Sequence, residues 1–436
     1  MLDIRRIRED PDGVKAGLAR RDPSLSARVD ELLGEDARWR AATATAESAR
    51  AMQKAHSENV AAGKRAGADV EPELAKLKEI STTVKERVEE ARLAQEARDA
   101  LLVSLANVPD PSAAAGPEDE LVREVGILPR FDFEPRDHLQ LAGEMIDMDR
   151  AARLSGSRFA YLKGDLVMLE LALVRWALEK LAAHGFEPVV PPVLVRERAL
   201  YGTGFLPDTE QQLYTLPEDE LFLIGTSEVA LASLHDGEII DGERLPLRYA
   251  GFSPCFRREA EAAGKDTRGI FRVHQFDKVE MFSFVAPEDS PQEHERILAL
   301  EEEILGELGL AYRVVNIAVG DLGSSAAKKY DCEAWLPSQG RYRELTSCSN
   351  TTDYQARRLN IRMRHDRAEA DRSKVDRSKI GQQTRTPHTL NGTAVAVGRT
   401  IVALLENGQQ ADASVALPQC LVPYGAPAGL SAAAGG

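Results

Sequence analysis

The sequence predicts an α+β protein in which a helical hairpin is followed by a mainly antiparallel β-sheet flanked by helices. Residues 26–106 are rich in Ala, Glu, Lys, Arg and Leu and contain a single proline. Beyond residue 120, short β-like runs such as LFLIG, KVEMFSF and YRVVNIAV recur with few long helices between them. That order favours an antiparallel sheet over βαβ units. A length of 436 residues allows two or three domains.

The hairpin prediction depends on apolar periodicity in residues 26–106. The first half carries Val29, Leu32 and Trp39, followed by a series of alanines. The second half has apolar residues three and four positions apart: Leu74, Leu77, Ile80, Val84, Val88 and Ala91. Gly63, Gly67 and Pro72 interrupt the pattern between the halves. We therefore expect a coiled-coil arm of two antiparallel helices, each roughly 50 Å long at 1.5 Å per residue.

Changes in composition divide the chain into further parts. We expect a first domain over residues 1–110 that contains the arm, a linker over 107–120, a larger domain over 121–424 and a disordered tail over 425–436. The linker is rich in Pro, Gly, Ser and Ala, and the tail has few residues that form a core. Within the larger domain, amphipathic helices are expected over 166–184 and 291–308.

Composition also excludes several classes of protein. The net charge of −15 argues against nonspecific coating of nucleic acid, and we expect no DNA partner. The four cysteines are widely spaced and form no C-x-x-C pair, so we expect neither disulfides nor a zinc site. The opening MLDIRRIRED lacks the apolar region of a signal peptide, and no segment could span a bilayer. A cytoplasmic protein without a membrane partner is expected.

Residues 256–282, FRREAEAAGKDTRGIFRVHQFDKVEMF, concentrate chemically useful side chains. Arg257, Arg268 and Arg272 offer planar forks that pair with phosphate oxygens and remain charged. Phe276 offers a flat face for a base, and Glu259 an acceptor for an amino group. Each residue alone has ordinary structural explanations, but their joint order is specific. It predicts a nucleoside triphosphate reacting beside an amino acid.

The order and spacing of this segment resemble the second signature motif of class II aminoacyl-tRNA synthetases, in the form carried by seryl-tRNA synthetases. Residues 185–194, GFEPVVPPVL, resemble the first motif, with Pro192 as its proline, which implies a homodimer. Residues 398–407 resemble the third motif, in which Arg399 is expected to press adenine against Phe276. Residues 343–358 resemble the segment that binds metal and ATP, which implies that Glu344 and Ser347 hold Mg²⁺.

The resemblance implies a serine–tRNA ligase with a defined set of site residues. Serine is expected to bind at Thr226, Ser227, Glu228, Arg257, Glu280, Asn391 and Thr393. ATP is expected to bind at Arg257, Arg258, Glu259, Arg272, Val273, Phe276, Glu344, Leu345, Thr346, Ser347 and Arg399. The catalytic residues are expected to be Arg257, Arg272 and Arg399. A pocket that satisfies the serine hydroxyl rejects alanine, because its own polar groups would be left unpaired.

The family uses an N-terminal arm of this kind on the long variable arm of tRNA(Ser), and it commonly charges selenocysteine tRNA as well. Recognition through shape and backbone charge is the expected mode for folded RNA. The candidate contacts are the basic side chains near the tip half of the arm: Arg50, Lys54, Lys64, Arg65, Lys76, Lys78 and Lys85. Residues 362–385, a highly charged connection, are predicted to form a surface loop.

Three alternatives remain open from the residues. The same adenylate chemistry serves enzymes that load a carrier protein, although these have no use for a long tRNA-facing hairpin. A noncatalytic RNA-binding regulator on the same scaffold predicts damage at the arginines or at the metal pair, and the sequence shows none. A coiled-coil scaffold explains the first quarter of the chain and leaves the rest without a purpose.

Overall fold

The computed structural model describes residues 1–207, 212–259, 268–364 and 384–432. The chain forms two compact units, Met1–Val108 and Pro109–Gly436. Most of the charged connection predicted as a surface loop, residues 365–383, lies outside the described residues. None of the helices within the described ranges is long and apolar enough to cross a membrane.

The N-terminal unit consists of helices. In chain order α1 to α4 are Ile4–Glu9, Pro11–Ala19, Leu25–Arg65 and Glu71–Ser104. Helices α3 and α4 pack along each other, so the predicted hairpin is confirmed. The break between them is shorter than the sequence suggested, because Pro72 lies in the first turn of α4, where its missing N–H has no helical partner to lose. Gly67, with φ of 70°, makes the turn.

The arm is held by small apolar contacts and one buried charge. Val29 and Leu32 are fully buried, but further along α3 the contacts are made by alanines, and Leu74 of α4 is exposed. Arg8 donates two hydrogen bonds to the buried Asp36 carboxylate, at 2.8 and 2.6 Å. These contacts concentrate at the base of the hairpin. Its distal part buries little apolar area and is correspondingly less stable.

The C-terminal unit combines a large sheet with short strands and helices. The described strands, β1 to β18, are Glu120–Val125, Ile146–Asp147, Tyr161–Leu162, Glu187–Val189, Leu194–Arg196, Tyr214–Leu216, Leu221–Leu223, Ile239–Ile240, Leu247–Phe256, Gln275–Val285, Tyr312–Asn316, Lys328–Leu336, Arg341–Thr352, Arg362–Arg364, Thr384–Arg385, His388–Ala396, Val415–Ala416 and Gly429–Leu430. The described helices, α5 to α12, are His138–Ala142, Met148–Ser155, Asp165–Ala183, Glu197–Thr203, Glu228–Ala232, Ser290–Glu307, Tyr354–Arg358 and Val397–Gly408.

Eight strands form the main sheet in the order β1-β11-β12-β13-β16-β10-β9-β4. Every neighbouring pair is antiparallel except β4 with β9, which confirms the mainly antiparallel prediction. The long hairpin of β9 and β10 lies beside β16, and β13 follows. Strands that are far apart in sequence are therefore adjacent in space.

Helices α7, α10 and α12 pack against this sheet. In α7, Leu166, Leu169 and Leu173 recur on one face and are fully buried. Gly185, with φ of 85°, follows the helix and lets the chain turn into β4. The helices predicted over 166–184 and 291–308 are confirmed within one residue at each end.

Two parts of the chain are more ordered than their composition indicates. In the predicted linker, Ala113 and Ala114 are buried, and Ala114 forms a β-bridge with Ala318. The predicted disordered tail is wrong for residues 425–432. There, β18 pairs with β17, and the Leu430 side chain is buried in the main core. Ala426 of the same segment is also buried in this core, so two apolar side chains anchor it.

Gly392 in β16 determines how closely helix α10 approaches the sheet. A Cβ atom at this position would lie 2.3 Å from Ile297 Cγ2 and 3.0 Å from Glu301 Oε1, both on α10. We expect Gly392→Ala to destabilise the C-terminal unit by about 1–3 kcal/mol through overpacking. Calorimetric unfolding of the full chain measures this effect.

The matched control is Gly306→Ala in α10 itself, where an added Cβ would meet no atom within 4 Å. That change should be neutral or stabilise the unit by up to about 1 kcal/mol, because alanine favours helix more than glycine does. Equal unfolding temperatures for the two variants would contradict the close packing at Gly392.

Candidate active site

A cavity of about 450 Å³ lies in the C-terminal unit against the main sheet. The following predicted site residues line it together: Thr226, Glu228, Arg257, Glu259, Arg272, Val273, Phe276, Glu280, Glu344, Leu345, Ser347, Asn391, Thr393 and Arg399. They come from segments spread over more than a third of the chain. The cavity therefore joins the segments that the sequence pattern had connected.

Strand alternation explains how the sheet presents these side chains. In β10, Phe276, Lys278 and Glu280 are two residues apart and share the cavity face. Glu280 lies opposite Thr393 of β16 in the antiparallel register. Asn391 is two residues from Thr393 and lies on the same face, whereas Gly392 between them faces α10.

Lys278 is a central cation of the cavity that sequence reasoning missed. Its side chain is buried, forms an ion pair with the Glu280 carboxylate, and donates a 2.6 Å hydrogen bond to Thr226 Oγ1. It thus joins two residues predicted to bind serine. The signal was present in the sequence, since Lys278 lies between Phe276 and Glu280 in an alternating strand and must share their face.

Glu228, at the start of α9, is the second carboxylate of this region. Desolvation in the cavity, followed by repulsion from Glu280, raises the pKa of Glu228 to about 7. Gln355 Nε2 donates a 2.7 Å hydrogen bond to Glu228 Oε1 and opposes that rise, as do the charges of Lys278 and Arg257. The Glu228 carboxyl therefore changes its charge near neutral pH.

Three arginines also line the cavity. Arg257 Nε donates to the Gly225 carbonyl at 3.0 Å, and Arg272 Nη1 donates to Glu259 Oε2 at 2.8 Å. Arg399 Nη1 donates to the Glu344 carbonyl at 3.1 Å. Each guanidinium thus uses some of its N–H groups for a hydrogen bond to the protein.

Two of these arginines lie near aromatic rings of the cavity wall. Arg257 lies 5.4 Å from the centre of the Phe276 ring, and Arg399 lies 4.9 Å from that of Phe271. The position of Arg399 opposite Phe276 across an adenine stays a prediction. Phe271 was missed because an aromatic residue in GIFRV gives no sign in sequence that it lines a cavity.

Glu344 and Ser347 place oxygen donors on the cavity wall. Burial raises the pKa of Glu344, but the charges of Arg399, Lys329, Arg257 and Arg272 outweigh it and hold that pKa below its usual value. An ionised carboxylate and a hydroxyl are hard donors of the kind that Mg²⁺ accepts. Among the described residues, no group of three or more His, Cys, Asp or Glu side chains is arranged to hold a metal ion.

Known proteins resemble the chain along almost its whole length. A model described as "Seryl-tRNA synthetase N-terminal domain" matches residues 1–109, and one described as "tRNA synthetase class II core domain (G, H, P, S and T)" matches residues 214–408. The serine–tRNA ligases of Streptomyces coelicolor and Nocardia farcinica are each 49% identical over 431 residues. These alignments cover 97% of this chain in both cases, and 97% and 98% of the respective relatives.

The chain belongs to the seryl-tRNA synthetase family. A solved seryl-tRNA synthetase from Pyrococcus horikoshii, complexed with ATP, superposes on it with a TM-score of 0.90. That protein is 40% identical, and the match covers 100% of both chains. The predicted family, the α+β fold class and the assignment to class II synthetases are confirmed.

Several residues predicted from the family pattern lie outside the cavity wall. Ser227 and Thr346 are buried, and Thr346 Oγ1 donates to Glu301 Oε2 at 3.1 Å instead of facing the cavity. Arg258 is also not part of the wall, and Arg268 pairs with Asp137 at 3.0 Å. The sequence placed these residues near the site by their neighbours. For Thr346 in β13, alternation relative to Ser347 directs the side chain to the opposite face, whereas Ser227, Arg258 and Arg268 lie outside the strands.

Other wall residues of this synthetase were not predicted. Lys329 of β12 contributes a further cation and pairs with Asp331 Oδ1 at 2.9 Å. Small residues from a loop before β12 complete the wall: Gly323, Ser324, Ser325 and Ala326. The run DLGSSAA was readable as a loop, but its place beside the cavity depends on the pairing of β11 and β12.

In the N-terminal unit, the predicted tRNA contacts are exposed side chains of α3 and α4. Arg50, Lys54, Lys78 and Lys85 line a groove of about 720 Å³ between the two helices. The remaining candidates, Lys64, Arg65 and Lys76, lie nearer the tip.

The Lys278–Glu280 pair generates a test that needs no substrate. We expect Lys278→Met to destabilise the C-terminal unit by about 3–5 kcal/mol, because it leaves a buried carboxylate without its partner. The double change Lys278→Met with Glu280→Gln should recover most of that loss, since the uncompensated charge is then gone. Denaturant unfolding of the full-length variants measures both free energies.

The control is Lys328→Met in β12, where the lysine lies over the Tyr330 ring and outside the cavity wall. We expect this variant to lose at most about 1 kcal/mol. If Lys278→Met were no less stable than Lys328→Met, the buried pair would not contribute as proposed.

Proposed function

We propose that the protein is a serine–tRNA ligase that converts serine and ATP to seryl-adenylate and pyrophosphate. It then transfers the seryl group to the 3′ end of tRNA(Ser), and to selenocysteine tRNA as a second acceptor. The observation that carries this proposal is one cavity whose wall brings the carboxylates of Glu228 and Glu280 together with Arg257, Arg272 and Arg399. An amino acid presents its ammonium to the carboxylates while its own carboxylate meets the phosphates.

The region of the cavity around Glu228 and Glu280 fits serine. Glu228 and Glu280 offer negative charge for the ammonium, and Thr226, Asn391 and Thr393 offer polar atoms for the hydroxyl. A buried polar site of this kind discriminates strongly against an amino acid that lacks the hydroxyl. The positive charge of Lys278 offsets the repulsion between the Glu228 and Glu280 carboxylates when no substrate is bound.

The region of the cavity around the three arginines fits ATP. Arg257, Arg272 and Arg399 can neutralise phosphate charge, and Phe276 can stack on adenine. Attack of the serine carboxylate oxygen on the α-phosphorus breaks the bond to pyrophosphate, so the catalytic task is to position the two reactants and to neutralise charge. No protein nucleophile takes part in this proposal.

Glu344 and Ser347 are the proposed Mg²⁺ ligands. When bound there, the ion would neutralise part of the negative charge on the phosphates. The oxygen donors and the neighbouring cations support a site for a complex of ATP with the metal. Buried Cys348, next to Ser347, is a soft donor and is not proposed as a ligand.

We propose that the protein forms a homodimer through the segment that resembles the first class II motif. Val190 beyond edge strand β4 is 79% exposed, and Met168 and Leu171 of α7 are also exposed. Apolar side chains beside an open sheet edge support burial against a second copy. We also place the enzyme in the cytoplasm.

The proposal is tested by ATP–pyrophosphate exchange against each of the twenty amino acids. We expect exchange with serine alone, and near-complete loss of that exchange in Glu280→Gln, which removes the carboxylate paired with Lys278. Exchange that responds to another amino acid, or to none, would refute serine activation. The second result would favour the noncatalytic RNA-binding alternative.

The arm generates a second prediction. Lys54, Lys78 and Lys85 line the groove between α3 and α4. Changing all three to alanine should raise the KM for tRNA(Ser) and weaken its salt dependence, because fewer phosphates are neutralised. ATP–pyrophosphate exchange should be unchanged, since that step needs no tRNA. Aminoacylation at several salt concentrations measures the effect.

A matched control removes three arm charges that have acidic partners on their own helix. Arg38, Arg87 and Arg92 pair with Glu35, Glu90 and Glu89. Their triple alanine variant should charge tRNA with nearly the original salt dependence. Equal losses in the two variants would argue against groove-specific binding. Deletion of residues 26–106 should abolish charging and spare exchange, which a carrier-protein ligase would not predict.

A further inference from the structure

Gln355 connects the proposed serine pocket to the surrounding scaffold, although it does not line the cavity. It is the second residue of α11 and is fully buried. Its Nε2 donates to Glu228 Oε1 at 2.7 Å and to the Thr203 carbonyl at 3.2 Å. Its Oε1 accepts from Thr389 Oγ1 at 2.9 Å, with Thr351 Oγ1 at 3.3 Å. The amide thus has partners on both sides.

These partners determine which way the amide faces. The Thr203 carbonyl can only accept a hydrogen bond, so the amide nitrogen must lie on its side. The Thr389 hydroxyl then donates to the amide oxygen on the opposite side. One N–H is consequently directed at Glu228. Helix α8, β13 and β16 together hold that donor in place.

The other charged groups near Glu228 do little to orient its carboxylate or to stabilise its negative charge. Glu280 repels it, while Lys278 is engaged by Glu280 and by Thr226. Arg257 contributes a favourable charge and donates its own Nε–H to the Gly225 carbonyl. The direct hydrogen bond from Gln355 therefore has a large share in orienting the carboxylate.

We propose that Gln355 is a positioning residue for amino-acid selection, which holds Glu228 as a carboxylate directed at the ammonium group of serine. The inference rests on the proposed function, since it requires Glu228 to bind serine. Gln355 itself touches no substrate in this scheme. Its role is to make the charge of Glu228 available at neutral pH.

The proposal has a definite consequence for pH dependence. The pKa of Glu228 is raised to about 7 by burial and by Glu280, and the Gln355 hydrogen bond lowers it. Loss of that hydrogen bond raises the pKa further, so a smaller fraction of Glu228 is ionised at neutral pH. The KM for serine should then be higher at neutral pH. It should fall as the pH rises through the pKa of Glu228, and without the Gln355 hydrogen bond this fall should occur at a higher pH than in the unaltered protein.

The test is Gln355→Met, which keeps the length of the side chain and removes its hydrogen-bonding groups. We expect the KM for serine in ATP–pyrophosphate exchange to rise about tenfold at neutral pH, the loss typical of one hydrogen bond to a charged group. The KM for ATP and kcat at saturating serine should change by less than about twofold, because ground-state binding of serine is what is lost. The pH profile of the serine KM should move to higher pH.

Gln409→Met is the matched control. Gln409 is likewise buried, and its Nε2 donates to the Arg136 and Glu406 carbonyls at 3.1 and 2.8 Å. Its Oε1 accepts from the Arg136 backbone N–H at 2.8 Å. This variant should lose comparable stability and keep the serine KM and its pH profile.

Gln355→Glu provides a second variant if Gln355→Met fails to fold. It retains the acceptor for Thr389 but places a second carboxyl group against Glu228, so the two must share a proton. The serine KM should again rise and its pH profile should move to higher pH. An unchanged serine KM, or a rise by the same factor at every pH, would overturn the role of Gln355 in a protein that activates serine. Absence of serine-dependent exchange in the unaltered protein would overturn the proposed function and this inference together.

Discussion

The antiparallel register of β10 with β9 and β16 is the constraint on which the rest of the site depends. It sets Glu280 opposite Thr393 on one side and Gly251 on the other. A shift by one residue would turn Phe276, Lys278 and Glu280 to the opposite face, toward the packed helices. The buried apolar residues of the opposite face, Val279 and Met281, would then face the cavity. The same alternation therefore specifies the hydrophobic core and the chemistry.

Charge is the second constraint. The cavity places the Glu228 and Glu280 carboxylates near each other, and Lys278 in direct contact with Glu280. In a partly desolvated space each uncompensated charge is costly, so Lys278 must stay close to Glu280 and the arginines close to acceptors. The hydrogen-bond anchors of Arg257 and Arg399 are backbone carbonyls, and Arg399 also pairs with the Glu344 carboxylate at 3.4 Å. A guanidinium has five N–H donors, so donors of these arginines remain available for an anionic ligand.

The sequence was informative where a local pattern determines the structure. The long helices of the arm, α7 and α10 follow from periodicity, and the cavity residues of β10 follow from alternation within one segment. Prediction failed where long-range packing decides. Lys329 and the loop before β12 join the wall through strand pairing over large sequence distances. Phe271 joins it from a bend that precedes β10. Ala426 and Leu430 pack into the core from a segment whose composition indicated disorder.

The buried glutamine illustrates why contact with substrate is an incomplete guide to function. A charged residue at position 355 would add either a third negative charge or a second positive charge to a region that already contains Glu228, Glu280 and Lys278. A neutral amide donates to Glu228 without changing the net charge, and its remaining atoms are satisfied by the Thr203 carbonyl, which can only accept, and by the Thr389 hydroxyl. Such a residue can direct a carboxylate while leaving the net charge of the cavity unchanged. Selectivity in this site is therefore expected to depend on the scaffold behind the pocket as well as on the pocket wall.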